Sequence, residues 1–266
     1  MGSGRNSKSA RNARAAVATK RSTPWAMIAA VLVVVLFAGA VFGYAFLRNK
    51  ENAERAEALA PFTPTAQNRD PAAQIPGVQI VDYPGQLHVL PTQRVAYTHS
   101  PPFGGAHDGY WAACNGVVYP TPVRQENLVH SLEHGAIWIA YNPEQVTGSD
   151  LDALKAKVEG QPYTVMSPYP GLDRPISVQS WGHQLKLTDA NDIRIDQFIT
   201  ALRRNQFAYP EVGASCQALG PGQFDQDNPP PFLPTPPVSE VNDTTIKSET
   251  EGSASVVPDG HAPGGS

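Results

Sequence analysis

Between Pro24 and Leu47 the chain has no charged residue, and its centre, Ile28 to Phe37, is almost wholly aliphatic. A helix needs about 20 apolar residues to cross a bilayer core, so the spacing predicts a transmembrane helix over 24–47. The apolar region of a cleaved signal peptide is shorter, about 7–15 residues, which favours an uncleaved anchor. Residues 48–60 alternate charges with alanines and read as a short helical stalk; Pro61, Pro64 and Pro71 turn its continuation into a linker. A folded domain is expected over 72–220. Beyond Pro221 the hydrophobic period disappears into Pro, Gly, Ser and acids, and the composition predicts a disordered tail over 221–266.

Within 72–220 the pattern switches repeatedly between periods of about 2 and 3.6. Val78–Tyr83 and Gln93–Thr98 read as strands. Ser100–Asn115, with paired prolines and glycines, reads as a loop without regular structure. Val117–Tyr119 is a short strand. Glu126–His134 is a helix free of Pro and Gly, stopped by Gly135, and Ala136–Tyr141 is a buried strand. Ser149, with Asp152 three residues on, reads as the cap of a helix with Leu151, Leu154 and Val158 on one face, ended by Gly160. Tyr163–Met166 and Ile176–Trp181 are strands, with a turn at Ser167–Gly171 and a Gly182 bulge before Leu185 and Leu187. Asp189 or Asp192 caps a last helix bearing Ile195, Phe198, Ile199 and Leu202. Helices and strands mix without strict alternation, so the fold class is α+β.

Charge adds an orientation. The 266 residues carry a formal net charge of -4, but residues 1–23 hold six basic side chains and no acidic one. Basic flanks stay cytoplasmic, so this segment predicts a single-pass cell-membrane protein with its N-terminus inside and its domain extracytoplasmic. The expected partners are the lipid bilayer, through 24–47, and an envelope protein. No basic stripe marks the domain, so nucleic acid is not an expected partner. Gly-rich phosphate loops and serine nucleophile elbows are absent from the sequence.

The chemistry concentrates in the helix over 126–134. Glu126, His130, Glu133 and His134 stand at i, i+4, i+7 and i+8, on one helical face. With His107, delivered by the Gly-rich loop and preceded by His88 and His99, the candidate metal ligands are His107, His130, Glu133 and His134. Imidazoles with a carboxylate suit Zn²⁺ or Cu²⁺. Two other readings stand beside this one. The cluster can be a structural hydrogen-bond network in a non-catalytic envelope interaction domain. His130-Ser131-Leu132-Glu133-His134 also fits the H-x-x-E-H pattern of a zinc-dependent hydrolase, which needs a distal carboxylate ligand; Glu159 and Glu211 are available and the sequence singles out neither. The two cysteines, Cys114 and Cys216, lie outside the membrane on this topology, and an even count there predicts a disulfide.

Several motifs recur together: His88-Val89, Pro101-Pro102-Phe103-Gly104-Gly105-Ala106-His107, Trp111-Ala112-Ala113-Cys114, Val129-His130-Ser131-Leu132-Glu133-His134-Gly135, Ser167-Pro168-Tyr169-Pro170-Gly171, Trp181-Gly182 and Glu211-Val212-Gly213-Ala214-Ser215-Cys216. In this order they resemble an uncharacterised bacterial family of membrane-anchored proteins, domain of unknown function family 3105, over roughly residues 75–220. The resemblance implies a membrane-anchored protein and lends no established activity. His183 stands where family members often carry Arg, and Val212 where they usually carry Pro, so His183 is a poor candidate for a shared function.

The topology is open to a direct test. A reporter active only outside the cytoplasm, fused after residue 60, is expected to give signal on a chain that keeps its first residues. Silence, or a mature protein beginning near Ala40 or Ala60, would sink the uncleaved, N-in anchor.

Overall fold

A computed structural model of the chain describes residues 24–253; the basic segment 1–23 and the end of the tail, 254–266, lie outside the described residues. The chain divides into two units, residues 1–55 and 56–266. Helix α1, Trp25–Leu59, is 35 residues long and has no buried residue. It is long and apolar enough to cross a membrane, as an anchor or as a signal sequence. It also runs on through most of the predicted stalk, because Ala, Glu, Arg and Leu in 48–59 are strong helix formers, and a Lys50–Glu54 pair at 3.7 Å braces one turn. Pro61 lies in the short 3₁₀ turn, Ala60–Phe62, that follows.

The second unit is a mixed α+β domain. Its elements in chain order are β1 (Val78–Ile80), β2 (His88–Val89), β3 (Arg94–Ala96), β4 (His107–Asp108), β5 (Asn115–Val118), α2 (Gln125–Glu133), β6 (Ile137–Tyr141), α3 (Gly148–Val158), β7 (Thr164–Pro168), β8 (Ile176–Ser180), β9 (His183–Leu187), α4 (Ile193–Leu202) and β10 (Ile246–Ser248). Six strands form one sheet in the order β1-β9-β8-β6-β7-β5. β5 and β6 flank β7 in parallel, whereas β6, β8, β9 and β1 run antiparallel in sequence. Two small parallel pairs lie outside it, β2 with β4 and β3 with β10.

The alternation in β6 explains the layering. Ile137, Ile139 and Tyr141 face one side and join Leu154 and Val158 of α3 and Ile195, Phe198, Ala201 and Leu202 of α4. Trp138 and Ala140 face the other and join Leu128, Val129 and Leu132 of α2 with Phe103, Cys114 and Cys216. A strand with both faces covered reads as a continuous apolar run, as Ile137–Tyr141 does. Every residue of α2 is buried, including its polar ones, because this helix lies between the sheet and the loops that precede it.

Local chemistry departs from expectation at several points. The expected loop 100–115 contains β4, held by pairing with β2 and not by its own propensity. Gly182 (φ +69°) is part of the two-residue Trp181-Gly182 hairpin turn joining β8 to β9, not a bulge; Ser180 faces His183 across it. Helix α3 begins at Gly148 after Thr147, so Ser149 lies inside it and no side chain caps it. Asp192 does cap α4, accepting from the Arg194 N–H at 2.9 Å.

The Cys114–Cys216 disulfide forms, closing a separation of 102 residues. A loop of that length contributes about 4–5 kcal/mol in the chain-entropy model. The tail expectation is corrected for its described part: residues 221–253 lie against the domain. Some of the few apolar groups of this segment pack although its average composition is poor, while Leu233 and Val238 stay exposed. Phe224 is fully buried, Phe232 packs edge-on to Tyr169 at 5.0 Å, and β10 adds a strand to β3. Phe224→Ala is therefore expected to lower stability by about 3–5 kcal/mol, the usual cost of removing a buried aromatic ring. Denaturant unfolding checks this, and a midpoint equal to that of the parent would return the segment to a free tail.

Candidate metal centre

The site is built where α2 ends against β2 and β4. His134 closes the helix and Gly135 follows at φ +87°; a Cβ there would stand 2.7 Å from the Tyr209 ring, so only glycine fits. His88 and His107 are Cα partners across the β2–β4 pair, so both project from the same register position. The His107 N–H donates to the Leu87 carbonyl at 2.9 Å, and the Tyr97 hydroxyl donates to the Ala106 carbonyl at 2.7 Å. Buried polar groups of α2 outside the cluster are individually satisfied. The Asn127 amide donates to the Tyr110 carbonyl and the Ser131 hydroxyl to the Ala112 carbonyl, each at 2.7 Å. Glu126 accepts from the Val95 N–H at 3.1 Å and lies 3.4 Å from Arg124, which also pairs with Asp108. Glu126 thus serves the helix entry and does not join the histidines.

The remaining titratable side chains converge. His88, His107, His130 and Glu133 each offer one ligand atom, all within 4.8 Å of one another. Ring centroids separate His107 from His130 by 4.8 Å, His88 from His107 by 4.9 Å and His88 from His130 by 5.0 Å. Two of these rings are fixed through Nδ1: that of His107 donates to the Gly105 carbonyl at 2.7 Å, and that of His130 to the Asp108 carbonyl at 2.6 Å. A carbonyl only accepts, so Nδ1 carries the proton and, in the neutral ring, Nε2 presents a lone pair. Glu133 spends one oxygen on the Gln86 N–H, at 2.6 Å, and turns the other toward His107 Nε2 at 2.8 Å and His88 Nε2 at 3.6 Å. The 2.8 Å approach lacks hydrogen-bond geometry. Among the described residues, five buried side-chain polar atoms have no hydrogen-bond partner. Four belong here: both His88 nitrogens, His107 Nε2 and the inward Glu133 oxygen.

A second group adjoins the first. His130, His134 and Glu211 also offer ligand atoms within 4.8 Å of one another. His134 donates through Nδ1 to the Ser215 carbonyl at 2.5 Å, and its Nε2 lies 3.1 Å from a Glu211 oxygen. The ligands expected from the sequence, His107, His130, Glu133 and His134, are thus neighbours but do not surround one point. His134 goes with Glu211, and His88 completes the inner group. His99 and His183 are elsewhere: His99 meets Gln79 and Tyr83, and His183 meets Asp70.

A family model described as "Protein of unknown function (DUF3105)" matches residues 88–218. Residues 88–218 are a DUF3105 domain. No curated protein and no solved structure matches the chain. The match begins at His88 and includes both histidine groups and both cysteines, while α1, β1 and the tail fall outside it.

Electrostatics in the DUF3105 domain follow from burial set against proximity. Burial disfavours the Glu133 carboxylate, yet the adjacent charge of His107, aided by His88, outweighs it and holds the carboxyl far below its ordinary range. Burial also opposes a charged His107, but Glu133 and the Gly105 carbonyl raise its pKa. For His130, burial comes first and His134 and His107 add to it, so its pKa falls well below 6.5.

These directions fix the pH response of the metal-free protein. His130 stays neutral in the fold while the unfolded chain takes up its proton below about 6.5, so its contribution is lost on acidification. His107, raised, contributes fully below 6.5 and less as pH rises through its folded value. Glu133, depressed, contributes fully above about 4.5 and is lost as pH falls further. Stability is therefore expected to peak near neutrality and to decline between pH 6.5 and 5. His130→Gln should flatten that decline by about 1.4 kcal/mol per pH unit, the linkage of one proton. Denaturant titrations in chelator, with parent and variant slopes equal, would contradict it.

Proposed function

We propose that this chain is a membrane-anchored cell-envelope protein whose extracytoplasmic DUF3105 domain holds one divalent metal ion between His88, His107, His130 and Glu133. The observation that carries the reading is the set of unpartnered buried atoms at one point. With Nδ1 of His107 tied to a carbonyl, its Nε2 lone pair faces a carboxylate oxygen at 2.8 Å. Where the ring is neutral these are two acceptors, and a cation, a metal ion or a proton, must lie between them. Backbone carbonyls that fix the tautomer of His107 and His130 are the outer contacts that metal-binding histidines ordinarily have. Three imidazoles and one carboxylate suit Zn²⁺, with bonds of about 2.0–2.2 Å, better than they suit Cu²⁺. The apolar N-terminal helix and the disulfide support an anchor with the domain outside the cytoplasm.

Burial supports a holding or structural role over hydrolysis. His88, His107, His130 and Glu133 are 6, 0, 3 and 0 % exposed, which leaves a substrate no approach to a metal-bound water. Glu133, the base that a hydrolase of the H-x-x-E-H type requires, is turned onto His107 and His88. One observation favours a second reading, the structural network: a proton on His107 Nε2 would satisfy the same 2.8 Å pair as imidazolium and carboxylate.

Metal analysis separates the two. The full chain in detergent, loaded with zinc and desalted, is expected to retain one zinc per molecule, and His107→Ala or Glu133→Ala to retain none. A parent protein that binds neither zinc nor copper would leave the network as the function of the cluster.

A further inference from the structure

The inner group is closed on all sides, whereas the adjoining group is not. The Glu211 side chain is 25 % exposed, and His134, 3 % exposed, lies 3.1 Å from it and packs against the His130 ring at 4.6 Å. Each of the three offers a ligand atom within 4.8 Å of the others. His130 belongs to both groups, and its Nδ1 is already committed to the Asp108 carbonyl at 2.6 Å. Only Nε2 is left, and one lone pair cannot serve two ions at once. The two groups therefore cannot each hold an ion with His130 as a ligand of both.

The surroundings of the outer group hold its two rings and leave its carboxylate partly open. Trp111 lies against both rings, its centroid 5.7 Å from that of His130 and 4.7 Å from that of His134. Gly213, two residues from Glu211, has φ +93°, and a Cβ there would meet nothing within 4 Å, so the backbone beside Glu211 faces open space. His134 itself is held: its Nδ1 donates to Ser215, whose neighbour Cys216 is fastened to Cys114. A partly exposed carboxylate, a fixed imidazole and a shared imidazole thus adjoin the buried site.

We infer that Glu211 and His134, with His130, form an outer cation site through which the ion of the inner group enters and leaves. This rests on the metal reading above. Glu211 attracts the hydrated divalent cation and replaces part of its water. His134 and His130 then supply nitrogen ligands, and the ion moves inward by exchanging Glu211 and His134 for Glu133, His107 and His88 while His130 Nε2 remains common to both positions.

The test is kinetic, on the full chain in detergent, stripped of metal, with Zn²⁺ as the probe. Uptake is followed in competition with a fluorescent zinc chelator, and release is followed after excess EDTA. Glu211→Gln is expected to slow uptake and release alike by about tenfold, the scale of one charge-assisted contact, because a changed route leaves the equilibrium unchanged. Zinc stoichiometry and equilibrium affinity should stay at the parent values. His134→Asn should behave in the same way, and Glu133→Ala should abolish retention. Parent rates in both Glu211→Gln and His134→Asn would overturn the inference, as would a loss of affinity with the uptake rate unchanged, which would make Glu211 a ligand of the final site. A parent that takes up no zinc overturns the metal reading itself, a result distinct from a parent that binds zinc with variants that load normally.

Discussion

A fully buried carboxylate governs this domain. Removing Glu133 from water costs several kcal/mol unless charge and hydrogen bonds replace the solvent. The fold meets that cost from two stretches of chain, 86–88 and the strand that carries His107. Gln86, itself at φ +61°, supplies an N–H to one oxygen. His107 and His88 face the other from a two-strand pair. Glu211, through its own N–H, bonds the Glu133 backbone carbonyl at 3.2 Å, so the loop of the outer group is tied to the same residue. Short strands such as β2 and β4 have little stability of their own. Their register is set by what Glu133 requires of them as much as by their two-residue ladder.

The disulfide has a local task besides its effect on the unfolded chain. Residues 214–217 are clamped beside His134 from several directions. The Cys114 N–H donates to the Cys216 carbonyl at 3.0 Å, Tyr163 donates to Ala214 at 2.7 Å and the Trp111 indole donates to Gln217 at 2.8 Å. The Ser215 carbonyl that fixes the His134 tautomer lies inside this clamp. A covalent tie next to an orienting carbonyl keeps an imidazole in one state, which a mobile loop would not.

How much was legible follows from where information is local. Helix α2 and strand β6 are readable because a long period, a Gly135 stop and an alternating apolar run all agree. The cysteines are readable because their number and compartment constrain them. His88 is different: it sits in a two-residue strand that has no period to detect, and only pairing with β4 brings it to the site. Glu126 shows the converse, since shared helical phase puts it on the histidine side but half-buried Arg124 and the Val95 N–H claim it. Phase tells which face a side chain occupies; it does not tell which neighbour wins it.

The described part of the tail shows the same limit on a larger scale. Its composition is that of a solvated segment, yet its acids and glycines have specific places. Glu249 accepts from the Thr98 hydroxyl at 2.6 Å and from the Thr98 N–H at 3.0 Å, while its own carbonyl accepts from Ala106 at 2.7 Å. Gly252 approaches β2 so closely that a Cβ would lie 2.5 Å from the Leu87 carbonyl carbon, and the Ser253 N–H bonds the His88 carbonyl at 3.0 Å. Backbone contact at this range requires glycine, so a low-complexity composition is compatible with a fixed path. The edges of β2 and β3 would otherwise present unpaired N–H and C=O groups next to the buried histidines. A segment outside the matched family region thus satisfies backbone groups inside it, and residues 249–253 bond the backbone at His88 and beside His107.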